Sequence, residues 1–399
     1  MPIPPSAAAI QAWLDTAPNS ERTGDFRAIR PERMRAFLTR LPVPPAPCTV
    51  AGTKGKGSTV RLIEAALRGG GHHTVAFCSP HVLSVMERWR TNGNDADPAV
   101  VAPLCDRVQA EEDASGLHLS WFERTFAVAV LLAHARGGAF ISEVGLGGRL
   151  DATNALDAAV AVLTHVSHDH REVLGPTVWH IAHEKLAISR PDRPLVIAPQ
   201  EAATALAIWH RIPVRRQTHW TQRPTTPFQL ALAGSHQQDN AATALTAARL
   251  YRPGLDLDAA RNTMALATLT ARCQQVGRFL IDGAHNGPSL AAAIAVAQQR
   301  FPDGWTLILG TAQDKEIAEM LAAIPPGVPV VRCAYANPRA RGEAQWPESA
   351  RRLPWYDDVR GAMTAINGPA LVAGSLYLAG EALSVLGEQT EQRDLTAQR

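Results

Sequence analysis

The chain has 399 residues, of which 46% are hydrophobic and 19% are charged, and its formal net charge is +2 at pH 7. This composition excludes a disordered chain or a coiled coil, and the length predicts two or three domains. The near-neutral charge gives no electrostatic case for binding nucleic acid or a membrane surface. The sequence has no apolar run of membrane-spanning length, no signal-peptide pattern, and no cysteine spacing typical of zinc or disulfide frameworks. We therefore expect a globular protein of the cytoplasm.

Strand-length apolar runs alternate with helical stretches along the chain, which predicts a doubly wound α/β fold. In the first part we expect strands at residues 48–51, 74–78, 140–144, 158–166 and 195–198, and helices at 58–67, 121–134, 178–188 and 236–251. Residues 217–228 are polar and contain proline, and they are expected to form a loop or an irregular strand. A second α/β series begins near residue 272, with strands at 279–281, 306–309 and 328–331 and helices at 289–300 and 316–323.

Lysine is rare in this chain. Only four of the 39 basic residues are lysines, namely Lys54, Lys56, Lys185 and Lys315. Arginine serves a solvated surface as well as lysine does, but it cannot replace a compact point charge or a nucleophilic amine. The four lysines are therefore candidates for chemistry.

A glycine-rich segment at residues 52–59, GTKGKGST, lies between the first predicted strand and its helix. In such a loop, backbone N–H groups and the helix N-terminus surround phosphate oxygens, and a lysine ammonium reaches the terminal phosphates. The strict P-loop pattern is not met, because Val50 stands at its first glycine position and Gly57 follows the lysine. Two lysines between the glycines still indicate a phosphate-binding loop rather than a flexible turn.

Polar segments follow the next two buried strands. Residues 143–154, EVGLGGRLDATN, begin with Glu143, and a carboxylate beside a P-loop is placed to hold Mg²⁺ directly or through water. Residues 164–170, THVSHDH, are similar to a binuclear metallohydrolase motif, but Ser167 stands where its second histidine is needed. We therefore interpret His165 and His168 as residues that make local hydrogen bonds.

The predicted helix at residues 178–188 carries His180, His183, Glu184 and Lys185. The glutamate lies outside the two histidines, unlike in a zinc-binding HExxH helix, so zinc is not expected there. Two hypotheses remain for Lys185. Its amine reacts with CO₂ to form a carbamate, which is an anionic oxygen ligand suited to Mg²⁺, or it is an ordinary helical lysine paired with a nearby acid.

Three polar turns follow predicted strands in the second half of the chain. They are DGAHN at 282–286, GTAQDK at 310–315 and AGSLYLAGE at 373–381. The carboxyl ends of parallel strands are where α/β folds bind ligands. Each turn alone is weak evidence, but three turns on one sheet predict a ligand site.

Taken in chain order, these segments resemble the folylpolyglutamate synthase and dihydrofolate synthase family of the Mur ligase superfamily. The resemblance extends over nearly the whole chain from about residue 30, and EVGLGGRLDATN combined with the P-loop is its most specific part. Further matching segments are SPH (79–81), MERWRTNG (86–93), WFE (121–123), DH (169–170), LGPTVWHIAHEKLAI (174–188) and HQQDNAATAL (236–245). The usual P-G-R before the C-terminal domain reads Thr270-Ala271-Arg272 here.

The resemblance implies a P-loop-containing N-terminal ATP-binding domain at residues 1–268 and a smaller, Rossmann-like C-terminal α/β domain at residues 269–399. It implies ATP binding by Gly55, Lys56, Gly57, Ser58, Asn240, Arg272 and Asp282. It implies two Mg²⁺ ions with the ligands Ser79, Glu143 and His170, and catalytic roles for Lys56, His170 and a carbamylated Lys185. It implies substrate contacts for Phe122, Glu123, Leu150, Asp151, Ala152 and His285.

The same resemblance implies an ATP-dependent amide ligase of folate biosynthesis. A carboxylate substrate, dihydropteroate or a folate, would take the γ-phosphoryl group of ATP, and the amine of L-glutamate would attack the acyl phosphate. Positioning and charge neutralisation dominate phosphoryl transfer, which suits a site of Mg²⁺, lysine and backbone amides. The expected partners are these small molecules, with no nucleic acid and no membrane, and the expected state is a monomer.

Three alternatives stay open from the sequence. A Mur-type ligase that acts on a cell-wall precursor is disfavoured by the WFE and LDATN segments. A metallohydrolase centred on residues 165–170 would contain stoichiometric zinc and would hydrolyse its substrate without ATP. A catalytically silent nucleotide-binding relative would bind ATP without glutamate-dependent release of ADP.

Overall fold

The computed structural model describes residues 2–23, 31–212 and 217–397, with side chains up to residue 388. It divides into two compact units, the first comprising residues 1–231 and 235–267 and the second comprising residues 232–234 and 268–399. Each unit contains its own mixed β-sheet and its own helices. The predicted α/β fold, with a smaller C-terminal α/β part, is confirmed.

The first unit is built on an eight-stranded sheet in the order β4-β3-β2-β5-β1-β6-β7-β8. All neighbouring pairs are parallel except β2–β3 and β3–β4. The strands are β1 Cys48–Ala51, β2 Thr74–Phe77, β3 Trp89–Thr91, β4 Asn94–Asp95, β5 Ala139–Glu143, β6 Val160–Leu163, β7 Leu195–Ile197 and β8 Thr218–Trp220. The helices are α1 Ala7–Leu14, α2 Ser20–Thr23, α3 Pro31–Leu38, α4 Lys56–Gly69, α5 Pro98–Ser115, α6 Trp121–Arg136, α7 Arg171–Leu174, α8 Val178–Leu186, α9 Ala202–Trp209, α10 His236–Tyr251 and α11 Leu257–Ala265.

The second unit contains a six-stranded sheet in the order β13-β12-β11-β14-β10-β9, in which only the β9–β10 pair is antiparallel. Its strands are β9 Gln274–Val276, β10 Phe279–Ile281, β11 Thr306–Leu309, β12 Val330–Cys333, β13 Trp355–Tyr356 and β14 Ala370–Ala373. Its helices are α12 Gly287–Arg300, α13 Ile317–Ala322, α14 Val359–Ala365 and α15 Leu376–Ala397. Short 3₁₀ turns complete the two units at Val85–Arg88, Ala152–Ala155, Glu343–Gln345 and Glu348–Ala350.

The central strands are the ones that the sequence shows most clearly. Every residue of β1, β2, β5 and β6 is buried, because helices cover both faces of a parallel sheet. The predicted strand at 158–166 is longer than the four residues of β6, because the polar residues after Leu163 leave the sheet. The polar stretch at 217–228 contributes the edge strand β8, whose residues are half-buried.

The described helices include none that is both long and apolar enough to cross a membrane. The five cysteines carry free thiols, and Cys48, Cys105 and Cys333 are buried. Burial raises the pKa of the Cys48 thiol to about 12 and also raises the pKa values of the other four thiols. These thiols therefore stay protonated near neutral pH.

Candidate active site

The candidate site lies at the carboxyl edge of the first sheet. The strands β2, β5, β1 and β6 are adjacent and parallel, so their carboxyl ends meet at this edge. Ser79 follows β2, Glu143 is the last residue of β5, the loop at 52–55 follows β1, and the THVSHDH segment follows β6. The sheet therefore gathers four segments that the sequence placed up to about 120 residues apart.

The phosphate-binding loop is packed too closely for side chains at two of its glycines. A Cβ atom on Gly52 would lie 1.8 Å from Oγ1 of Thr164, and one on Gly55 would lie 2.5 Å from Oδ1 of Asn240. Gly55 also has a left-handed backbone, with φ of 85°, at the N-cap of α4. The backbone carbonyl of His165 accepts hydrogen bonds from the loop, which fixes it against the segment after β6. The two glycines are thus required by the packing of the loop against Thr164 and Asn240.

Two lysines converge on one carbonyl oxygen of this loop. Nζ of Lys56, the first residue of α4, donates to the backbone oxygen of Gly52 at 3.2 Å, and Nζ of Lys185 on α8 donates to the same oxygen at 3.0 Å. Lys185 is only 4% exposed. Burial, and then the neighbouring Lys56 ammonium, lower the pKa of Lys185 to about 7. Near neutral pH much of the Lys185 amine is therefore unprotonated and nucleophilic.

The loop at 143–154 packs backbone against backbone on the helix that carries Lys185. A Cβ atom on Gly148 would lie 2.7 Å from the carbonyl oxygen of Glu184 and 3.1 Å from that of Lys185. The N–H of Arg149 donates to the Glu184 carbonyl at 2.8 Å, and the two side chains form an ion pair at 2.8 Å. The GLGG sequence is therefore needed for this contact, and the contact sets the position of Lys185.

A Gly148→Ala variant tests this close contact. We expect its free energy of unfolding to fall by about 1–3 kcal/mol, because the added methyl group must push the loop away from α8. ATP-dependent turnover should fall as well, since Lys185 moves with the helix. Chemical denaturation of Gly368→Ala is the matched control, because a Cβ there meets nothing within 4 Å. Equal stability of the two variants would contradict the packing argument.

Asp151 and Phe122 shape the same loop. The Asp151 carboxylate is buried and accepts hydrogen bonds from the N–H of Leu146 at 3.0 Å and from the N–H and hydroxyl of Thr153 at 3.0 and 2.6 Å. Burial raises the pKa of this carboxyl group. The ring of Phe122 lies against Gly145, where an added Cβ would be 2.7 Å from the ring. Leu150 is 36% exposed and Ala152 is buried, so of these residues only Leu150 presents substantial surface.

Glu123 holds the start of α6. Its carboxylate accepts a hydrogen bond from the N–H of Ser120 at 2.8 Å, and Ser120 caps the helix in return. The same carboxylate forms a two-point ion pair with Arg33, at 3.2 Å from Nε and 2.5 Å from Nη2. Glu123 is 5% exposed, so its role in the geometry of the site is to fix the helix that presents Phe122.

The residues implied as Mg²⁺ ligands lie at the carboxyl ends of β2 and β5, which are adjacent, and in the segment after β6. The N–H of Ser79 donates to Oε2 of Glu143 at 3.1 Å, and Glu143 is 3% exposed. His170 has a left-handed backbone with φ of 47°, and its N–H donates to Oδ1 of Asp169 at 3.1 Å. Such strain in a non-glycine residue is typical of functional sites. A buried carboxylate and a hydroxyl are oxygen donors that suit a hard divalent ion, so Glu143 and Ser79 fit Mg²⁺.

The metallohydrolase interpretation finds no support in the described residues. Within them, no group of three or more His, Cys, Asp or Glu side chains is arranged to hold a metal ion. His180 shares a hydrogen bond with the hydroxyl of Thr177 at 2.8 Å, and His183 lies 3.4 Å from Arg211. The two histidines of α8 therefore make local contacts.

A buried polar chain links the phosphate-binding helix to α10. Nε2 of Gln237 donates to Oγ of Ser58 at 3.3 Å, and Nδ2 of Asn240 donates to Oε1 of Gln237 at 2.9 Å. Gln237 is 1% exposed. We did not predict a role for Gln237 from the sequence, although it lies in the HQQDN segment that carries Asn240.

In the second unit, three predicted site residues surround Gly283 at the carboxyl end of β10. The Asp282 carboxylate accepts hydrogen bonds from the N–H of Cys273 and of Ala284, both at 2.8 Å. Nη1 of Arg272 would lie 2.7 Å from a Cβ on Gly283, and Nδ1 of His285 lies 3.0 Å from the Gly283 carbonyl oxygen. Arg272, Asp282 and His285 are thus brought together by one turn.

Comparison with known proteins was made by sequence and by structure. No family model matches the chain. The dihydrofolate synthase/folylpolyglutamate synthase of Escherichia coli K12 is 32% identical to it, over 96% of this chain and 97% of that protein. The chain belongs to the dihydrofolate synthase/folylpolyglutamate synthase family. The residues of the site described above are thus those of a family member.

Solved structures of this family have the same fold over almost the whole chain. A structure of Escherichia coli FolC in complex with DHPP and ADP has a TM-score of 0.81 and 26% identity, and the match covers 98% of this chain and 99% of that one. A bifunctional folylpolyglutamate synthase/dihydrofolate synthase with Mn, AMPPNP and L-glutamate bound also has a TM-score of 0.81, with 25% identity and coverages of 97% and 98%. These relatives bind a nucleotide, and the second also binds a divalent metal and an amino acid.

Proposed function

We propose that this chain is an ATP-dependent ligase that joins L-glutamate to dihydropteroate, to a folate, or to both. The convergence of Lys56 and Lys185 on the Gly52 carbonyl carries the proposal, because it joins a phosphate-binding loop to a buried amine in one site. The family of the chain supports the reaction, since its relatives are named for it and their structures hold ADP or AMPPNP. Residues 1–268 form the ATP-binding domain, residues 269–399 form the glutamate-ligase domain, and the protein acts as a monomer in the cytoplasm.

In this proposal the phosphates of ATP lie along the loop. The backbone N–H groups of Gly55, Gly57 and Ser58 surround phosphate oxygens at the N-terminus of α4, where the helix dipole favours negative charge. Lys56 places its ammonium at the terminal phosphates and neutralises the charge that develops during transfer. We also assign nucleotide contacts to Asn240 in the first unit and to Arg272 and Asp282 in the second.

Ser79, Glu143 and His170 would hold Mg²⁺. A solved structure of a relative contains bound Mn, another divalent metal. When bound, the ions neutralise phosphate charge and orient the transferred group. The candidate ligands are the buried carboxylate of Glu143, the hydroxyl of Ser79 just after the neighbouring strand, and the imidazole of His170, whose backbone is left-handed. As the family resemblance implies, two ions are proposed. One of them would also be bound by a carbamate on Lys185.

The Lys185 carbamate forms when the unprotonated amine attacks CO₂. A new N–C bond forms, one C=O bond becomes C–O⁻, and the amine proton leaves to solvent. The neighbouring Lys56 ammonium favours formation of the carbamate. A protonated Lys185 would be repelled by this cation, whereas a negatively charged carbamate would be attracted to it. The GLGG contact on α8 fixes the backbone from which the carbamate extends.

We assign the remaining site residues to the binding of the substrates. Phe122, Leu150 and Ala152 border the pterin-bearing acid, and Glu123 and Asp151 fix the helix start and the loop that present them. A carboxylate oxygen of the acid attacks the γ-phosphorus of ATP, the bond between the γ- and β-phosphates breaks, and ADP leaves as the acyl phosphate forms. The amine of L-glutamate then forms the amide bond and expels phosphate. His285 is assigned to substrate binding at the turn after β10.

Release of ADP with defined substrates tests this function. The purified chain is supplied with ATP, Mg²⁺ and L-glutamate, and dihydropteroate is compared with tetrahydrofolate and with a muramyl peptide precursor. We expect ADP release that requires both L-glutamate and a pterin-bearing acid. Release with the muramyl substrate alone would indicate a cell-wall ligase, and ATP binding without any turnover would indicate a silent relative.

Glu143→Gln should lower kcat roughly 100-fold with little loss of stability, because the amide keeps the shape and loses the charge that a hard cation prefers. The measurement is ADP release over a Mg²⁺ titration. Glu112→Gln is the matched control, since Glu112 is equally buried but forms its ion pair with Arg124 on the neighbouring helix. The control should lose stability and keep its dependence on Mg²⁺. Unchanged kinetics of Glu143→Gln would make Glu143 a structural residue.

A further inference from the structure

The segment that follows Ser79 is a rigid loop. The Glu87 carboxylate accepts hydrogen bonds from three consecutive N–H groups, those of Val82, Leu83 and Ser84, at 2.9, 2.7 and 2.9 Å. A carboxylate that binds three backbone groups leaves the loop little freedom. His81, which directly precedes them, is therefore held on a fixed backbone beside the candidate site.

A buried arginine holds the side chain of His81. Nε of Arg88 donates to Nδ1 of His81 at 3.0 Å, and the two terminal nitrogens of Arg88 bind the carboxylate of Glu21 at 3.2 and 2.5 Å. Arg88 is 1% exposed, and its guanidinium lies 4.5 Å from the ring centroid of Trp121. The His81 ring lies 6.1 Å from the same indole. The orientation of the imidazole is thus determined from two sides.

This contact determines which ring nitrogen carries the proton. A guanidinium nitrogen only donates, so Nδ1 of His81 has to be the acceptor and cannot bear hydrogen. The proton of the neutral ring must then lie on Nε2, on the side of the ring that faces away from Arg88. Among the hydrogen bonds of the described residues, none uses Nε2, and the ring is half-buried. His81 therefore presents an N–H donor for which the described part of the chain supplies no acceptor.

The position of this donor points to its acceptor. His81 is two residues from Ser79, which bonds to Glu143, and it lies against Trp121, the neighbour of Phe122 in sequence. Phe122 in turn lies against Gly145 of the loop assigned to the acid substrate. His81 therefore lies on the loop that begins at Ser79, and its ring lies beside the N-terminus of the helix that carries Phe122.

We propose that His81 donates a hydrogen bond from Nε2 to an oxygen of the acid substrate, and that Arg88 is the positioning residue that orients the ring for it. The assignment of the acid rests on the proposed function. The ring is preorganised, so the substrate gains the hydrogen bond without the entropic cost of ordering a side chain. Among acids with the same ring system, those that place an oxygen within hydrogen-bond distance of Nε2 should bind more tightly.

The first test is the tautomer of His81, which requires no turnover. Long-range ¹H–¹⁵N correlation spectra of the full chain separate the two ring nitrogens, and His81→Gln identifies the signals of His81 among the 14 histidines. We expect a protonated Nε2 and an unprotonated Nδ1 in the wild type, and loss of this single tautomer in Arg88→Lys. A proton on Nδ1 would overturn the proposal. Should Arg88→Lys fail to fold, the wild-type spectrum alone decides this arm.

The second test is binding of dihydropteroate, measured by calorimetry in the presence of ADP and Mg²⁺. His81→Ala should weaken binding by roughly 10- to 100-fold, the loss expected for a hydrogen bond to a charged acceptor. His81→Gln should restore most of the affinity, because its Nε2 lies near that of histidine, whereas His81→Asn should not. The KM for ATP should stay unchanged in all three variants.

These outcomes separate the new inference from the proposed function. Equal affinities of His81→Ala, His81→Gln and the wild type would overturn the role of His81 even in an active ligase. Absence of ligation by the wild type, with dihydropteroate binding that still depends on His81, would overturn the proposed reaction and keep the contact. Equal weakening by all three substitutions would show a structural role and would overturn the donor assignment.

Discussion

Lys185→Arg is expected to lose ATP-dependent ligation by roughly 100- to 1,000-fold, although it keeps a cationic side chain on the same helix. A guanidinium does not form a stable carbamate, and it is a larger planar group than the amine of Lys185, which is only 4% exposed. ADP release with L-glutamate and dihydropteroate measures the loss. His183→Arg is the matched control, because it places a guanidinium at an exposed position of the same helix.

Lys185→Ala extends this prediction. It should be as inactive as Lys185→Arg, and a short carboxylic acid in solution should partly restore turnover by occupying the place of the carbamate. Electron density or ¹³CO₂ NMR of the wild type with Mg²⁺ and nucleotide should reveal the modified side chain. An active Lys185→Arg enzyme, or density that ends at the bare amine under those conditions, would refute the carbamate.

Lys56→Ala should lower the rate of ligation by about 100- to 1,000-fold and leave the protein folded. The lysine is expected to contribute charge at the phosphates rather than packing, and within the described residues its ammonium donates to the Gly52 carbonyl oxygen. ADP release reports the rate, and urea unfolding reports the stability. Arg261→Ala provides the comparison, with turnover near that of the wild type, because Arg261 is half-exposed on α11 and lies 3.6 Å from Asp258. If Lys56→Ala also retained near wild-type turnover, the loop would not be the phosphate site.

The sequence was most informative where structure depends on neighbours in the chain. Strand β1, the glycine-rich turn and α4 follow from a buried apolar run, glycines that allow left-handed backbone and a lysine-containing helix start, all within about 20 residues. The predicted helix at 58–67 nevertheless starts two residues too late, because Lys56 and Gly57 already belong to α4. Glycine at a helix start is compatible with both interpretations, so this boundary needed the structure.

The contacts that define the site could not be predicted in the same way. Lys185 meets the Gly52 carbonyl across 133 residues of sequence, and that contact depends on the strand order and on the approach of Gly148 to α8. No spacing rule relates such positions. The hydrogen bond between Arg88 and His81 could not be predicted either. The segments MERWRTNG and SPH are similar to those of the family, but the sequence does not indicate which of their side chains are in contact.

Some helices escaped prediction because their patterns are weak. Helix α5 has prolines at both Pro98 and Pro103 and mixes alanine, valine and acidic residues without a clear apolar stripe. Its stability comes from packing of residues such as Val101 and Cys105 in the core rather than from propensity. Tertiary contacts of this kind are not visible in a local window of sequence.

The five thiols, all with raised pKa values and three of them buried, make this chain suitable for site-specific chemical labelling. A thiol with a raised pKa reacts slowly with maleimides and with peroxide, because the thiolate is the nucleophile. One new cysteine on an exposed residue, such as Gly368, should therefore react in strong preference to the five natural ones. Mass spectrometry after brief labelling would report a single adduct. Fluorescent or spin-labelled forms of the enzyme then become available without first removing Cys48 or Cys105 from the core.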